Sequence, residues 1–195
     1  MLHGCHQRIR DGAAPGGVCP PAIADALDLR IDTYQKRVCF PIRDFKGRLV
    51  GFHGRAVEKG VEPRYRMYLQ GGHNNPIYWL GEHWVDLDKP LVVVEGPFDV
   101  ASVRRVYKNV ASPLFSNPSF EKLRRMASCL EWITFYDRGT GGDAGRAKVS
   151  ACLHQDHVVQ HVLPPEGRKD PGEMTLTELR TSLLTVLPES ALTVD

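Results

Sequence analysis

Four carboxylates stand where chemistry could be done. Glu95 ends the apolar run Leu91-Val-Val-Val94, and Asp137 ends a second run, Trp132-Ile-Thr-Phe-Tyr136. Asp143 follows across Arg138-Gly-Thr-Gly-Gly142, and Asp170 sits in Arg168-Lys-Asp-Pro171. Carboxylates brought together repel and raise one another's pKa unless a cation lies between them. No His or Cys accompanies them, and an oxygen-only donor set suits Mg²⁺ or Mn²⁺. Mg²⁺ is usually held by one or two carboxylates plus substrate phosphates, so a phosphorylated substrate is expected. The glycine-rich stretch between Asp137 and Asp143 can close around an ion or turn backbone N–H groups toward a phosphate.

The elements that must position these acids follow from the apolar pattern. An unalternating run such as Leu91–Val94 suits a strand buried on both faces of a parallel sheet. Val100, Val103 and Val106 then recur at helical spacing, predicting a helix over 98–107. Strands are predicted over 110–115, 132–136 and 158–163, with helices opening at Ser119, over 143–153 and over 176–187. Strands alternating with helices mean a parallel sheet with helical cover. In such sheets ligands bind beyond the carboxyl ends of the strands, where Glu95 and Asp137 fall.

The front of the chain reads differently. Residues 1–20 are rich in Gly and Pro and read as a flexible entry segment. A short helix is predicted over 22–29. Two β-prone runs between Val38 and Arg55 flank Asp44-Phe-Lys-Gly47, a turn composition, and predict a hairpin. Pro41 predicts an edge strand or an irregularity there. The polar stretch 58–76 reads mainly as loop. Within it Pro63-Arg-Tyr-Arg-Met-Tyr68 interleaves arginine, which neutralises phosphate, with tyrosine, which can stack a base; the alternative is a surface strand whose tyrosines pack locally. Ile77-Tyr-Trp-Leu80 reads as core.

Charge supports a polyanionic partner. The net charge is only +2, yet residues 30–66 hold ten Lys or Arg against four acids. The five cysteines are scattered, which predicts reduced thiols rather than a disulfide framework. His3, Cys5, His6 and Cys19 match no common zinc-finger spacing, so zinc is not expected. No apolar run approaches the ~18 residues of a membrane span. Met1–Arg8 carries no long apolar segment, so no secretory leader and no membrane partner are expected.

Several of these segments, taken in order, resemble one family. Val92-Val-Val-Glu-Gly-Pro-Phe-Asp-Val100 resembles the Glu-Gly motif of the TOPRIM fold in its primase version. Phe135-Tyr-Asp-Arg-Gly-Thr-Gly-Gly-Asp-Ala-Gly-Arg-Ala147 resembles that fold's Asp-x-Asp motif and the helix that follows. Arg37–Arg55, Pro63-Arg-Tyr65 and Ile77-Tyr-Trp-Leu80 are similar to the segment preceding TOPRIM in DnaG-type primases. Leu163-Pro-Pro-Glu-Gly-Arg-Lys-Asp-Pro171 is similar to the family's Lys-Asp-Pro loop.

The resemblance covers roughly residues 20–180. It implies a TOPRIM-like α/β domain over 87–175, preceded by a basic mixed α+β subdomain with a β-hairpin over 21–86 and followed by a helix and tail over 176–195. It further implies primer synthesis on single-stranded DNA from NTPs. Glu95, Asp137 and Asp143 would be catalytic and would hold Mg²⁺ or Mn²⁺ together with Asp170. Arg43, Arg55, Arg64, Tyr65 and Lys169 would bind template and nucleotide.

The expected setting is the cytoplasm of a bacterial or phage-infected cell. A replicative helicase, or a separate zinc-binding or helical primase subunit, would be a partner. Two departures stand out. Five residues separate Asp137 from Asp143 where the family has one, and Arg64 and His73 stand where the family has lysine. A TOPRIM nuclease is a second reading, against which the Arg37–Arg55 hairpin argues. A non-catalytic nucleic-acid-binding replication factor is a third, which the altered aspartate spacing favours.

Overall fold

The computed structural model describes residues 7–8, 21–58, 60–69, 77–115, 117–153 and 155–193. His3, Cys5, His6, Cys19 and His73 lie outside these. The chain forms two compact units, Met1–Pro76 and Ile77–Asp195.

The first unit is an antiparallel sheet of five strands in chain order: β1 (Gln7–Arg8), β2 (Arg30–Asp32), β3 (Arg37–Arg43), β4 (Leu49–Ala56) and β5 (Tyr65–Leu69). A short helix, α1 (Pro21–Ala26), precedes β2. The hairpin is present: β3 and β4 pair around a turn in which Asp44 Oδ1 accepts the N–H groups of Lys46 and Arg48. Gly47 sits at φ 75°, a left-handed conformation that glycine adopts without strain.

Of the edge strand or irregularity that Pro41 predicts, the structure has the irregularity: β3 is central in the sheet. Pro41 is tolerated because β2 pairs only with Arg37–Cys39, so no partner on that side needs its missing N–H. A register shift follows at Ile42/Arg43. Residues 65–69, in a stretch expected mainly as loop, form the edge strand β5, which is the surface-strand alternative for residues 63–68. Tyr68 lies directly opposite Phe52 and its hydroxyl donates to Asp32 Oδ2 at 2.9 Å.

The second unit is a parallel sheet in the order β7-β6-β8-β9, with β6 (Leu91–Val93), β7 (Val110–Ala111), β8 (Glu131–Thr134) and β9 (Val158–His161). Its helices are α2 (Pro97–Val103), α3 (Phe120–Arg124), α4 (Thr140–Cys152) and α5 (Leu176–Leu183). This is the α/β class expected, with each strand two to four residues long. Ser119 caps α3, its side chain accepting the N–H of Lys122.

Trp79, Leu91, Val93, Leu123, Met126, Trp132, Tyr136 and Val149 pack as one buried cluster, so Ile77–Leu80 does supply core. The Trp79 and Trp132 rings meet edge to face at 5.9 Å, and both indole N–H groups donate to backbone carbonyls, those of Lys122 and Cys129. Among the described residues no helix is long and apolar enough to cross a membrane.

Strand order decides where the site lies. From β6 the chain crosses to β7 on one side, then returns past β6 to β8 on the other. The direction therefore reverses between β6 and β8, the topological switch point at which open α/β sheets bind ligands. Glu95 follows β6 and Asp137 follows β8.

Candidate functional site

Each acid is held by the chain segment that delivers it. Parallel pairing of Val93 with Thr134 sets the two strand ends side by side. Just beyond, the backbone N–H of Asp137 donates to Glu95 Oε1 at 3.2 Å. Burial, and then the Asp137 charge, raise the Glu95 carboxyl above its ordinary range. Asp137 is raised likewise, by burial and then by Asp170. Lys169 pulls both back down, so its ammonium acts on this acidic pair, while its backbone N–H donates to Glu173 at 2.9 Å.

A fourth member belongs here that the sequence reading did not single out. Asp99, 7% exposed, sits in the first turn of α2. Its Oδ2 accepts the N–H of Gly96 at 2.9 Å and its Oδ1 the N–H of Gly172 at 3.0 Å. Burial, followed by the charges of Asp170 and Asp137, raises its carboxyl to about 8. The available signal was its place four residues after Glu95, behind a glycine and a proline that start a helix.

Asp170 Oδ1 accepts the N–H of Glu173. A Cβ built on Gly172 would stand 3.0 Å from Asp170 Oδ1 and 3.1 Å from Asp99 Oδ1. Glycine thus leaves open the space between these two carboxylates.

Asp143 is placed differently. α4 starts at Thr140, three residues earlier than the spacing predicts, so Asp143 lies in its first turn. Its side chain is 69% exposed and is paired with Arg146. Glu95, Asp137, Asp99 and Asp170 are linked by their charges, whereas Asp143 is bound to the helix it stands on.

Among the described residues no three His, Cys, Asp or Glu side chains converge as a ready-made metal cage. The donor chemistry fits a hard cation held by one or two carboxylates and completed by water or phosphate oxygen. The acids are all oxygen donors, Lys169 is the cation acting beside them, and the Gly172 opening leaves room.

The first unit carries the expected cations on its β4–β5 pair. Arg55 lies directly opposite Tyr65. The guanidinium carbons of Arg55 and Arg64 each stand 5.7 Å from the Tyr65 ring centroid, and His53 stacks on that ring at 5.3 Å with 14° between planes. Tyr65 is 41% exposed. Its ring gathers two cations on the sheet surface. Arg43 does not join them. It donates to Asp28 at 3.0 Å and to the carbonyl of Gly47 at 3.1 Å, tying α1's exit to the hairpin turn.

Residues 23–67, which carry this basic face, match the family described as DNA primase catalytic core, N-terminal domain. The chain is similar to the DnaG-type DNA primases. It is 32% identical to the DNA primase of Pseudomonas putida over 161 residues, which cover 76% of this chain and 24% of that protein. It therefore spans about a quarter of the curated primases it matches. Among solved structures it resembles the Aquifex aeolicus primase (zinc binding and RNA polymerase domains), with a TM-score of 0.66 and 24% identity over 80% of this chain and 41% of that one. It also resembles the DnaG primase catalytic domain bound to single-stranded DNA, with a TM-score of 0.64 and 23% identity over 87% and 59% of the two chains. The primase fold thus spans both units, while the family match stops short of the acidic site, which lies in the second.

Proposed function

We propose that this chain is the catalytic part of a DnaG-type primase, joining NTPs into a short RNA primer on single-stranded DNA. The observation that carries the reading is the pair Glu95 and Asp137, set side by side at the switch point of a parallel sheet. Glu95 and Asp137 would hold Mg²⁺ or Mn²⁺, with Asp99 and Asp170 adjoining. Bound there, the cation would lower the pKa of the primer 3′-hydroxyl and neutralise triphosphate oxygens. Lys169, which acts on the same acids, would draw the triphosphate toward them. Arg55 and Arg64, gathered on Tyr65, would track the template backbone.

The Aquifex chain named above includes a zinc-binding domain. A module of that kind, or a replicative helicase, would be the partner in bacterial or phage-infected cytoplasm.

The test is synthesis itself. The protein is incubated with single-stranded DNA, labelled NTPs and Mg²⁺ or Mn²⁺, beside Glu95→Gln. Oligoribonucleotides made by the wild type and not by the variant support the reading. Shortened DNA without new product would support a nuclease instead, and retarded DNA with neither product would support a binding protein.

A further inference from the structure

Arg146 is only 8% exposed, although α4 also carries exposed polar residues. It belongs to the inward stripe Gly142, Gly145, Arg146 and Val149, spaced as one helix face. Its guanidinium points back to the end of β8. Nη1 donates to the carbonyl of Asp137 at 3.2 Å and to that of Tyr136 at 3.4 Å, while Nη2 pairs with Asp143. A Cβ built on Gly142 would lie 1.9 Å from the Asp137 carbonyl oxygen. That oxygen is therefore seated between the first turn of α4 and the Arg146 side chain.

The other backbone polar group of the same residue, in the preceding peptide unit, is fixed as well, because the Asp137 N–H donates to Glu95. Asp137 is thus clamped on both sides of its Cα, by Glu95 through its N–H and by Arg146 through its C=O. That fixes the Cα–Cβ direction from which its carboxylate extends. The Arg146 charge also opposes the upward push of burial on Glu95.

We infer that Arg146 is a positioning residue for the cation-binding pair Glu95 and Asp137, and that Asp143 serves as the anchor of Arg146 rather than as a ligand. This rests on the metal-dependent reading above. Residues that orient metal-binding side chains from behind typically account for 10- to 100-fold in affinity. An arginine that only stabilised the fold would lower the melting temperature and leave cation affinity alone.

The experiment is Mn²⁺ binding followed by electron paramagnetic resonance, without DNA or nucleotide. It compares the wild type with Arg146→Lys, Arg146→Met, Asp143→Asn and Asp137→Asn, each checked for cooperative unfolding. Arg146→Lys keeps the charge but loses the planar fork that spans two carbonyls and a carboxylate. Both Arg146 variants are expected to bind Mn²⁺ about 10- to 100-fold more weakly. Asp143→Asn is expected to lose much less than Asp137→Asn. If Arg146→Met does not fold, Arg146→Lys decides. Undiminished binding by Arg146→Lys overturns the inference, and so does an Asp143→Asn loss as deep as that of Asp137→Asn. A wild type that binds no Mn²⁺ removes the metal-dependent reading itself, an outcome distinct from either.

Discussion

The backbone N–H of Asp137 donates to Oε1 of Glu95 at 3.2 Å, joining the ends of two adjacent parallel strands through one carboxylate. A side chain that accepts from the neighbouring strand end cannot turn freely into solvent. The bond thus keeps two acids close that would otherwise separate by repulsion. The fold supplies the proximity, and burial first, then the neighbouring carboxylate charges, raise the pKa values of Glu95, Asp137 and Asp99.

That cost predicts a pH dependence centred on Asp99. Its carboxyl titrates at about 8 in the folded protein against 3.8 as a free group, chiefly because it is buried and then because of the Asp170 and Asp137 charges. Folding therefore takes up a proton between these values. Stability from this group is complete below about pH 4 and is lost as pH rises through about 8. In EDTA the unfolding free energy should fall by up to about 4 kcal/mol between pH 5 and 8. Asp99→Asn should flatten the profile. Urea unfolding across this range checks it, and an equally steep Asp99→Asn curve would assign the loss to other groups.

Lys122 predicts the opposite slope at higher pH. Its side chain is only 1% exposed, with Nζ 5.1 Å from the Phe115 ring centroid. Burial pulls its pKa down to about 7, with Glu82 opposing. The folded state disfavours the ammonium that the unfolded chain keeps up to about 10.5. Stability should therefore rise between pH 7.5 and 9.5, by up to about 3 kcal/mol. Lys122→Met keeps an apolar stem in the same space, should be more stable than wild type at pH 7.5, and should show no such rise. Thermal melts of both proteins across that window test this.

How much of this was legible beforehand divides by physical cause. Leu91–Val94 and Trp132–Tyr136 are apolar runs whose burial overrides every other preference, so their strands and the acids ending them could be read directly. Asp99 had only its place four residues after Glu95 to mark it, and nothing in its neighbours says that Gly172, 73 positions later, will donate to it. β5 was legible only as one of two alternatives for residues 63–68, because its pairing with β4 is a tertiary effect. Asp143 was placed in the site by resemblance, against a spacing from Asp137 longer than the family's, and its i,i+3 relation to Arg146 on one helix pairs its side chain with that arginine.

The glycines before Asp143 make a contrasting pair of substitutions. A Cβ on Gly142 would meet the Asp137 carbonyl oxygen at 1.9 Å, a backbone atom that cannot swing aside. Gly142→Ala must therefore displace the start of α4 or the end of β8, at a cost of about 2–3 kcal/mol or more. Gly141, one residue earlier, has nothing within 4 Å of such an atom. Gly141→Ala should be neutral, or stabilise α4 by up to about 1 kcal/mol. Chemical denaturation of both variants checks the ordering, and Mn²⁺ binding should weaken in Gly142→Ala alone.

The arginines of the first unit separate by what holds them. Arg55 and Arg64 converge on Tyr65 at the sheet surface, and each should contribute to binding single-stranded DNA by displacing counterions from phosphate. Replacing either with alanine should reduce the slope of log K against log salt by about 0.7. Tyr65→Ala should weaken binding with little change in slope, because it removes a stacking face and no charge. Arg43 is engaged by Asp28 and by the Gly47 carbonyl. Arg43→Ala should leave the slope unchanged and lower stability by about 1 kcal/mol. Fluorescence anisotropy with a labelled oligonucleotide over a salt series, beside denaturant melts, separates the two classes. A slope change in Arg43→Ala equal to that in Arg55→Ala would place Arg43 on the binding face after all.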